Sequence, residues 1–456
     1  MPINFPRLII AATQSGSGKT TITAGLLGAL KNRGLNVQAY KVGPDYIDTG
    51  WHALACGKPS HNLDSWLVGK DKLTEIFATT ARGADVSIIE GVMGLYDGGR
   101  GGVSSTAEIA KLLDAPVVLV IDAKSMGTSA AAVALGFREF DTSVKLAGVI
   151  LNRIGSDSHK KMIVDALDAL GIKCFGAIMR NDEFTLPERH LGLVPTTENR
   201  AIDALKKICA AVEKQVDIDA LIALALTPAS LSPSPSPCSL SLVPYPLTIG
   251  VARDEAFSFY YDAGLKELER LGAQIVYFSP LNDTTLPKVD GLIIGGGFPE
   301  MFAARLERNK KIRAEIHDAA EAGLPIFAEC GGFMYLMREL IDFDGRRFKM
   351  CGVLDGVATM TNKLQTVGYV TAELLRDCVL GRAGDVIRAH EFHFSTAETS
   401  GEKIFKCTRL RTSKEYFAGA ARKNIVVSYL HIHFAGCPNA AKTFVDACKN
   451  FRKEMT

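Results

Sequence analysis

No two cysteines in this chain have C-x-x-C spacing. The ten, Cys56, Cys174, Cys209, Cys238, Cys330, Cys351, Cys378, Cys407, Cys437 and Cys448, are scattered along it. That spacing argues against a zinc ribbon or a disulfide framework and predicts a reducing, cytoplasmic setting. Excess charge of one sign is also missing. The chain has 52 Lys and Arg against 50 Asp and Glu, a formal net charge of +2. Such a balance gives no global electrostatic case for nucleic acid or an anionic membrane as partner. No apolar run is long enough to span a bilayer as a helix. The opening residues, MPINFPRLIIAATQSG, lack the series of basic region, apolar core and cleavage site. They are expected to be a first strand entering a functional loop rather than a signal peptide. What remains is an ordinary globular balance, 47% hydrophobic and 22% charged. Over 456 residues it predicts two or three domains.

The clearest compositional break is TPASLSPSPSPCSLSLVPYP, residues 227–246. Its Ser and Pro content suits neither a helix nor a central strand, so it reads as a linker. Domains over 1–226 and 247–456 follow. Both alternate short apolar runs with amphipathic stretches, the pattern of α/β folds with open, mostly parallel sheets. Strands are expected over 7–13, 36–42, 86–91, 116–122 and 146–152. In the second half they are expected over 247–253, 273–279, 291–296, 325–329 and 425–431. The functional residues cluster at the C-terminal ends of these runs, where open α/β sheets place ligands.

ATQSGSGKTT, residues 12–21, approaches the phosphate-loop pattern G-x-x-x-x-G-K-[ST], with Thr13 in the first glycine position. Ser15, Gly16, Ser17 and Gly18 would turn backbone N–H groups toward phosphates. Lys19 would reach the β and γ phosphates, the Thr20 hydroxyl would ligate Mg²⁺, and Thr21 continues into the helix. In YKVGPDYIDTG, residues 40–50, Lys41 ends a strand. Asp45 and Asp48 are three apart, so one helical turn would put both on one face, as Mg²⁺ ligands or as an ordinary helix cap. Glu90 ends another strand, and Thr20, Asp48 and Glu90 could complete a Mg²⁺ shell. Asn152 ends a further strand; its amide suits an adenine edge or a plain turn.

LPIFAECGGFMYLMREL, residues 324–340, is the most informative stretch. An apolar strand ends at Glu329, Cys330 follows, and Gly331-Gly332 open a helix. This is a nucleophile elbow with Cys in place of Ser. A helix N-terminus favours a thiolate and can receive an oxyanion. A base is required. His431 and His433, in VVSYLHIHFAG, both qualify, and strand alternation puts them on one side. IIGGGFPE, residues 293–300, supplies Gly296 and Gly297 beside Gly331 as oxyanion donors, with a helix beginning near Pro299.

The N-terminal half resembles the dethiobiotin synthetase group of P-loop enzymes, and the C-terminal half is similar to class I glutamine amidotransferases. In this order the whole chain resembles the cobyrinic acid a,c-diamide synthase family of cobalamin biosynthesis. The matching blocks are ATQSGSGKT, KVGPDYID, EGVMGLYDG, GGGFPE, AECGGFMYL, HEFHFS and SYLHIHF. The resemblance implies Cys330 as the nucleophile that takes glutamine to a thioester and His431 as its activating base. It implies an ATP and Mg²⁺ site at Lys19, Thr20, Asp45, Asp48 and Glu90. Tyr46 and Ile47 fall where the family contacts its corrinoid, with Lys41 and Asp45 alongside. The His-Pro-Glu ending of many amidotransferases is missing, so no third triad member is assigned. His390 and His393, in HEFHFS, have no derived role. The implied reaction uses ATP to turn a carboxylate into an acyl phosphate, which ammonia from glutamine then attacks. It is carried out twice, by a monomer or homodimer. Hydrogenobyrinic acid or Ni-sirohydrochlorin would serve the same chemistry. A nucleotide switch or scaffold with a degenerate amidotransferase tail is the rival of another class.

Overall fold

The computed structural model of the chain describes residues 5–181, 184, 199–228 and 247–455. Most of the Ser/Pro-rich stretch, 229–246 with Cys238, lies outside the described residues. Packing separates two compact units, Met1–Ser236 and Pro237–Thr456.

The first unit is built on a seven-stranded parallel sheet: β1 Arg7–Ala12, β2 Val37–Val42, β3 His61–Leu63, β4 Val86–Glu90, β5 Val117–Asp122, β6 Leu146–Ile154 and β7 Lys173–Met179. Their order is β3-β2-β4-β1-β5-β6-β7. Every residue of β1, β2 and β4 is buried, which is why they read as near-continuous apolar runs. The chain fills one side of β1 with β2, β3 and β4, then crosses to β5 on the other. That reversal opens a crevice beyond the C-terminal end of β1. β3 and β7 go beyond the sequence expectation; β3 is three residues long, too short for a periodic signal.

The second unit carries a six-stranded sheet whose parallel core includes β8 Leu247–Ala252, β10 Ala273–Phe278, β11 Gly291–Ile294 and β13 Ile326–Glu329. Ile425–Ser428 pairs parallel with β13. A short antiparallel ladder joins β9 Phe257–Phe259 to β12 Gly296–Gly297. Two further sheets, of four and five strands, are mostly antiparallel and lie largely between Met337 and Arg422. These half-exposed strands escaped the sequence reading because that reading followed fully apolar runs.

Candidate functional site

Helix α1, Lys19–Asn32, begins directly after the loop that leaves β1. Gly16 and Gly18 both have left-handed backbones, with φ of 78° and 87°. A Cβ on Gly18 would lie 2.2 Å from Asn152 Nδ2, so only glycine fits. Asn152 Nδ2 donates to the Ser17 carbonyl (2.9 Å) and its Oδ1 accepts the Arg153 N–H (3.0 Å). One amide hydrogen and one lone pair remain for a base edge. No side chain caps α1 and no acid occupies its first turn. Its N–H groups and dipole therefore face the loop, as anion binding requires. A cavity of about 520 Å³ opens there, lined by Gly16, Gly18, Lys19, Thr20, Thr21, Ile47, Asp48 and Asn152. Ser15 is exposed on the loop.

Beneath this cavity lies a buried cluster of charge. Lys41 and Glu90 are side by side in the β2–β4 register. Lys41 Nζ donates to Glu90 Oε1 (2.9 Å) and the Gly91 carbonyl (2.9 Å), and pairs with Asp48 Oδ2 (2.6 Å). All three ammonium hydrogens are thus used. Thr20 Oγ1 donates to Glu90 Oε1 (2.7 Å), and Lys19 Nζ stands 3.7 Å from the same oxygen. Burial disfavours the charged Lys41, but Asp48, Glu90 and Asp45 outweigh it and raise its pKa. Glu90 is likewise opposed by burial, yet Lys41 and His52 hold it well below the usual carboxylate range. Burial, then Asp45 and Glu90, push Asp48 up to about 7, so Asp48 is first to take a proton as pH falls. Burial and Lys41 lower Lys19.

Asp45 Oδ1 accepts the N–H groups of Ile47 (2.7 Å) and Asp48 (3.0 Å), starting helix α2, Ile47–Cys56. Its other oxygen is left for a ligand. Tyr46 and Ile47 sit at this helix start, and Ile47 reaches the cavity wall.

In the second unit, Cys330 caps β13 with φ 48° and ψ −103°, a strained backbone for a residue with a Cβ. The helix Gly331–Leu336 follows. A Cβ on Gly332 would lie 2.0 Å from the Ile294 carbonyl, and one on Gly331 2.9 Å from Pro299 Cδ and 3.0 Å from Gly297 N. The elbow is therefore pressed against the glycine strand, which larger residues would push away. The Gly331 N–H bonds the Cys330 sulfur. Burial, then the charge of Glu300, pushes the thiol up to about 12.

His431 lies against the same glycine strand: a Cβ on Gly296 would be 2.7 Å from its Cε1. Burial, then His390 and His393, lower its pKa to about 3, so the ring is neutral, as a base must be. His433 instead stacks on Tyr261 (4.7 Å, 15°). The two histidines part because the strand His431–Ile432 ends before His433. The HEFHFS block joins this region. His390 pairs with His431 across the antiparallel strand Val386–His393, and His393 stacks on Tyr429 (3.8 Å, 7°).

Glu329 is buried and accepts the Ile432 N–H (2.6 Å), tying the nucleophile strand to the histidine strand. Burial pushes its carboxyl from 4.5 up to about 8. The folded protein therefore keeps a proton that the unfolded chain releases near 4.5. The resulting stability is fully present below about pH 4.5 and is lost as pH rises through about 8. Glu329→Gln mimics the protonated acid. Urea unfolding of parent and variant between pH 5 and 9 is expected to show the parent losing stability relative to the variant. A difference independent of pH would reject this.

Two family models match this chain. Residues 8–194 match the CobQ/CobB/MinD/ParA nucleotide binding domain, and residues 248–438 match the CobB/CobQ-like glutamine amidotransferase domain. A cobyrinate a,c-diamide synthase of Dehalococcoides mccartyi (strain ATCC BAA-2266 / KCTC 15142 / 195) is 43% identical, over 98% of this chain and 99% of its own. The chain belongs to the cobyrinate a,c-diamide synthase family. Another cobyrinate a,c-diamide synthase, of Listeria monocytogenes serovar 1/2a, is 44% identical over 94% of this chain and 96% of its own. A hydrogenobyrinate a,c-diamide synthase of Streptomyces coelicolor is 41% identical over 97% and 98%.

In this member of the cobyrinate a,c-diamide synthase family, His52 borders the buried charge cluster and was missed by the sequence reading. It is fully buried, with Nε2 2.6 Å from Glu90 Oε2 and Nδ1 3.1 Å from Ser60 Oγ. Such a chain fixes the rotation of a carboxylate. The available signal was its place four residues after Asp48, on the same helix face. Trp51, Lys124, Arg180 and Asn181 also line the cavity and were not singled out.

Proposed function

We propose that this protein is an ATP- and glutamine-dependent ligase that amidates the a and c carboxylates of cobyrinate in cobalamin biosynthesis. The full-length match to cobyrinate a,c-diamide synthases carries this reading. The two domain matches agree with it. The chain is divided into an ATP domain over 1–226, a linker over 227–246 and an amidotransferase domain over 247–456.

A carboxylate resists attack by ammonia because oxide is a poor leaving group. Transfer of the γ-phosphoryl group of ATP to a carboxylate oxygen gives an acyl phosphate and ADP. Ammonia adds to its carbonyl carbon, and the C–O bond to phosphate breaks. Lys19 and the N–H groups of Gly16 and Gly18 hold the phosphates; Lys41 fixes Asp48 and Glu90; Tyr46 and Ile47 face the tetrapyrrole. In the second unit His431 takes the Cys330 proton as sulfur attacks the glutamine amide carbon, and returns it to the departing ammonia. Gly296, Gly297 and Gly331 carry the oxyanion, and water releases glutamate from the thioester.

Mg²⁺ belongs to this proposal. Thr20, Asp48 and Glu90 offer hard oxygens; burial, then the repulsion of Asp45 and Glu90, raises Asp48, and a cation would relieve that repulsion. Among the described residues no three His, Cys, Asp or Glu are grouped to hold a metal alone. Two carboxylates and a hydroxyl, completed by phosphates and water, suit Mg²⁺. When bound, the ion neutralises charge on the transferring phosphoryl group. A cytoplasmic setting is part of the proposal. All nine described cysteines are free, and no described helix is long and apolar enough to cross a membrane.

The Streptomyces coelicolor relative supports a second reading, the same reaction on cobalt-free hydrogenobyrinate. Incubating the protein with Mg-ATP, amide-¹⁵N glutamine and either tetrapyrrole, then weighing the products, tests both. Two labelled amides on cobyrinate, formed only with ATP, are expected. Labelling of hydrogenobyrinate alone would favour the second reading, and no label on either would reject both.

A further inference from the structure

The turn Pro299–Phe302, directly after the glycine strand, is inverted in polarity. It leaves Met301 53% exposed and buries Glu300 to 8%. Burying a carboxylate while exposing a thioether is costly, and proteins keep such acids where a charge will be met. No cation meets this one. Among the described residues Glu300 has no ion pair, and its carboxylate accepts only its own backbone N–H.

Its position gives the acid a purpose. Pro299, its neighbour in the turn, is the residue a Cβ on Gly331 would strike, so the turn packs on the elbow itself. Of the charges acting on the Cys330 sulfur, that of Glu300 is the strongest, and it also reaches Tyr429. A bare carboxylate beside a nucleophile works against forming a thiolate. The arrangement makes chemical sense once a cation from outside pairs with the acid.

We propose that Glu300 receives the α-ammonium group of glutamine and so selects free glutamine over amides that lack that group. The inference rests on the reading of Cys330 as the glutaminase nucleophile. Free glutamine presents an ammonium near its α-carbon and an amide at the far end of its side chain. A buried acid next to the sulfur fixes one end while the amide carbon meets the other. Salt-bridging the ammonium offsets the desolvation of both groups. It also cancels the negative field on the thiol, so occupation of the acid by substrate favours the reactive form of Cys330.

Glutaramate, glutamine without its α-amino group, is the probe. The full-length parent is expected to hydrolyse it with kcat/KM about 10²-fold or more below that for glutamine, the cost of leaving a buried charge unpaired. Glu300→Gln is expected to raise KM for glutamine far more than it lowers kcat. It should also collapse the preference over glutaramate to within about tenfold. Circular dichroism and the unfolding midpoint check its fold. A parent that uses both amides equally overturns the proposal without any variant. So does a folded Glu300→Gln that keeps the parent's preference. If Cys330→Ala still hydrolyses glutamine at the parent's rate, the nucleophile reading fails, and the proposal falls with it for a separate reason.

Discussion

Cys330→Ala abolishes glutamine-dependent amidation and retains amidation with ammonium salts: this is the expected result when ¹⁵N product is measured with each nitrogen source. If Cys330 is the glutaminase nucleophile, its sulfur forms the thioester, so the loss should approach the detection limit, on the order of 10³-fold or more. The geometry says why the fold should survive. Cys330 is held by its backbone, its N–H donating to the Ser428 carbonyl (2.7 Å), and alanine keeps that bond. Alanine also removes the buried thiol without adding volume. The strained φ of 48° remains, and alanine bears it no worse than cysteine. Loss of both activities in a folded variant would mean that the two sites do not work separately.

Asp48→Asn is expected to lower amidation at least about 10²-fold with either nitrogen source. The substitution is nearly isosteric but removes one of two carboxylates that face Lys41. Lys41 keeps Glu90 and the Gly91 carbonyl, so the local structure should hold. What goes is a charged oxygen at the mouth of the phosphate cavity, where a hard cation would be bound. Weaker ATP binding in the presence of Mg²⁺, measured by calorimetry, should accompany the loss. Unchanged turnover in both assays would remove Asp48 from the site.

Much of this was readable because both sites are built on backbone constraints. Gly16, Gly18, Gly331 and Gly332 occur where a Cβ has no room or the chain must turn left-handed, and short-range patterns expose such demands. The apolar runs ending in Lys41, Glu90 and Glu329 likewise declared parallel strands. Side chains that act through other side chains were not readable in this way. His52 reaches Glu90 from a helix 38 residues earlier in the chain. Glu300 stands at the tail of a glycine motif, and only its burial sets it apart. His431 and His433 could not be separated by alternation, because the strand ends between them.

The Asn152 contact to Ser17 has a consequence for binding speed and strength. A neighbouring strand holds the phosphate loop from behind, and only glycine fits at position 18 because that amide fills the space. These contacts restrict the shape of the loop before a nucleotide arrives. Less conformational entropy is given up on association, and more of the contact energy can appear as affinity. Nucleotide capture is therefore expected to resemble docking into a preset mould more than the wrapping of a loose strand.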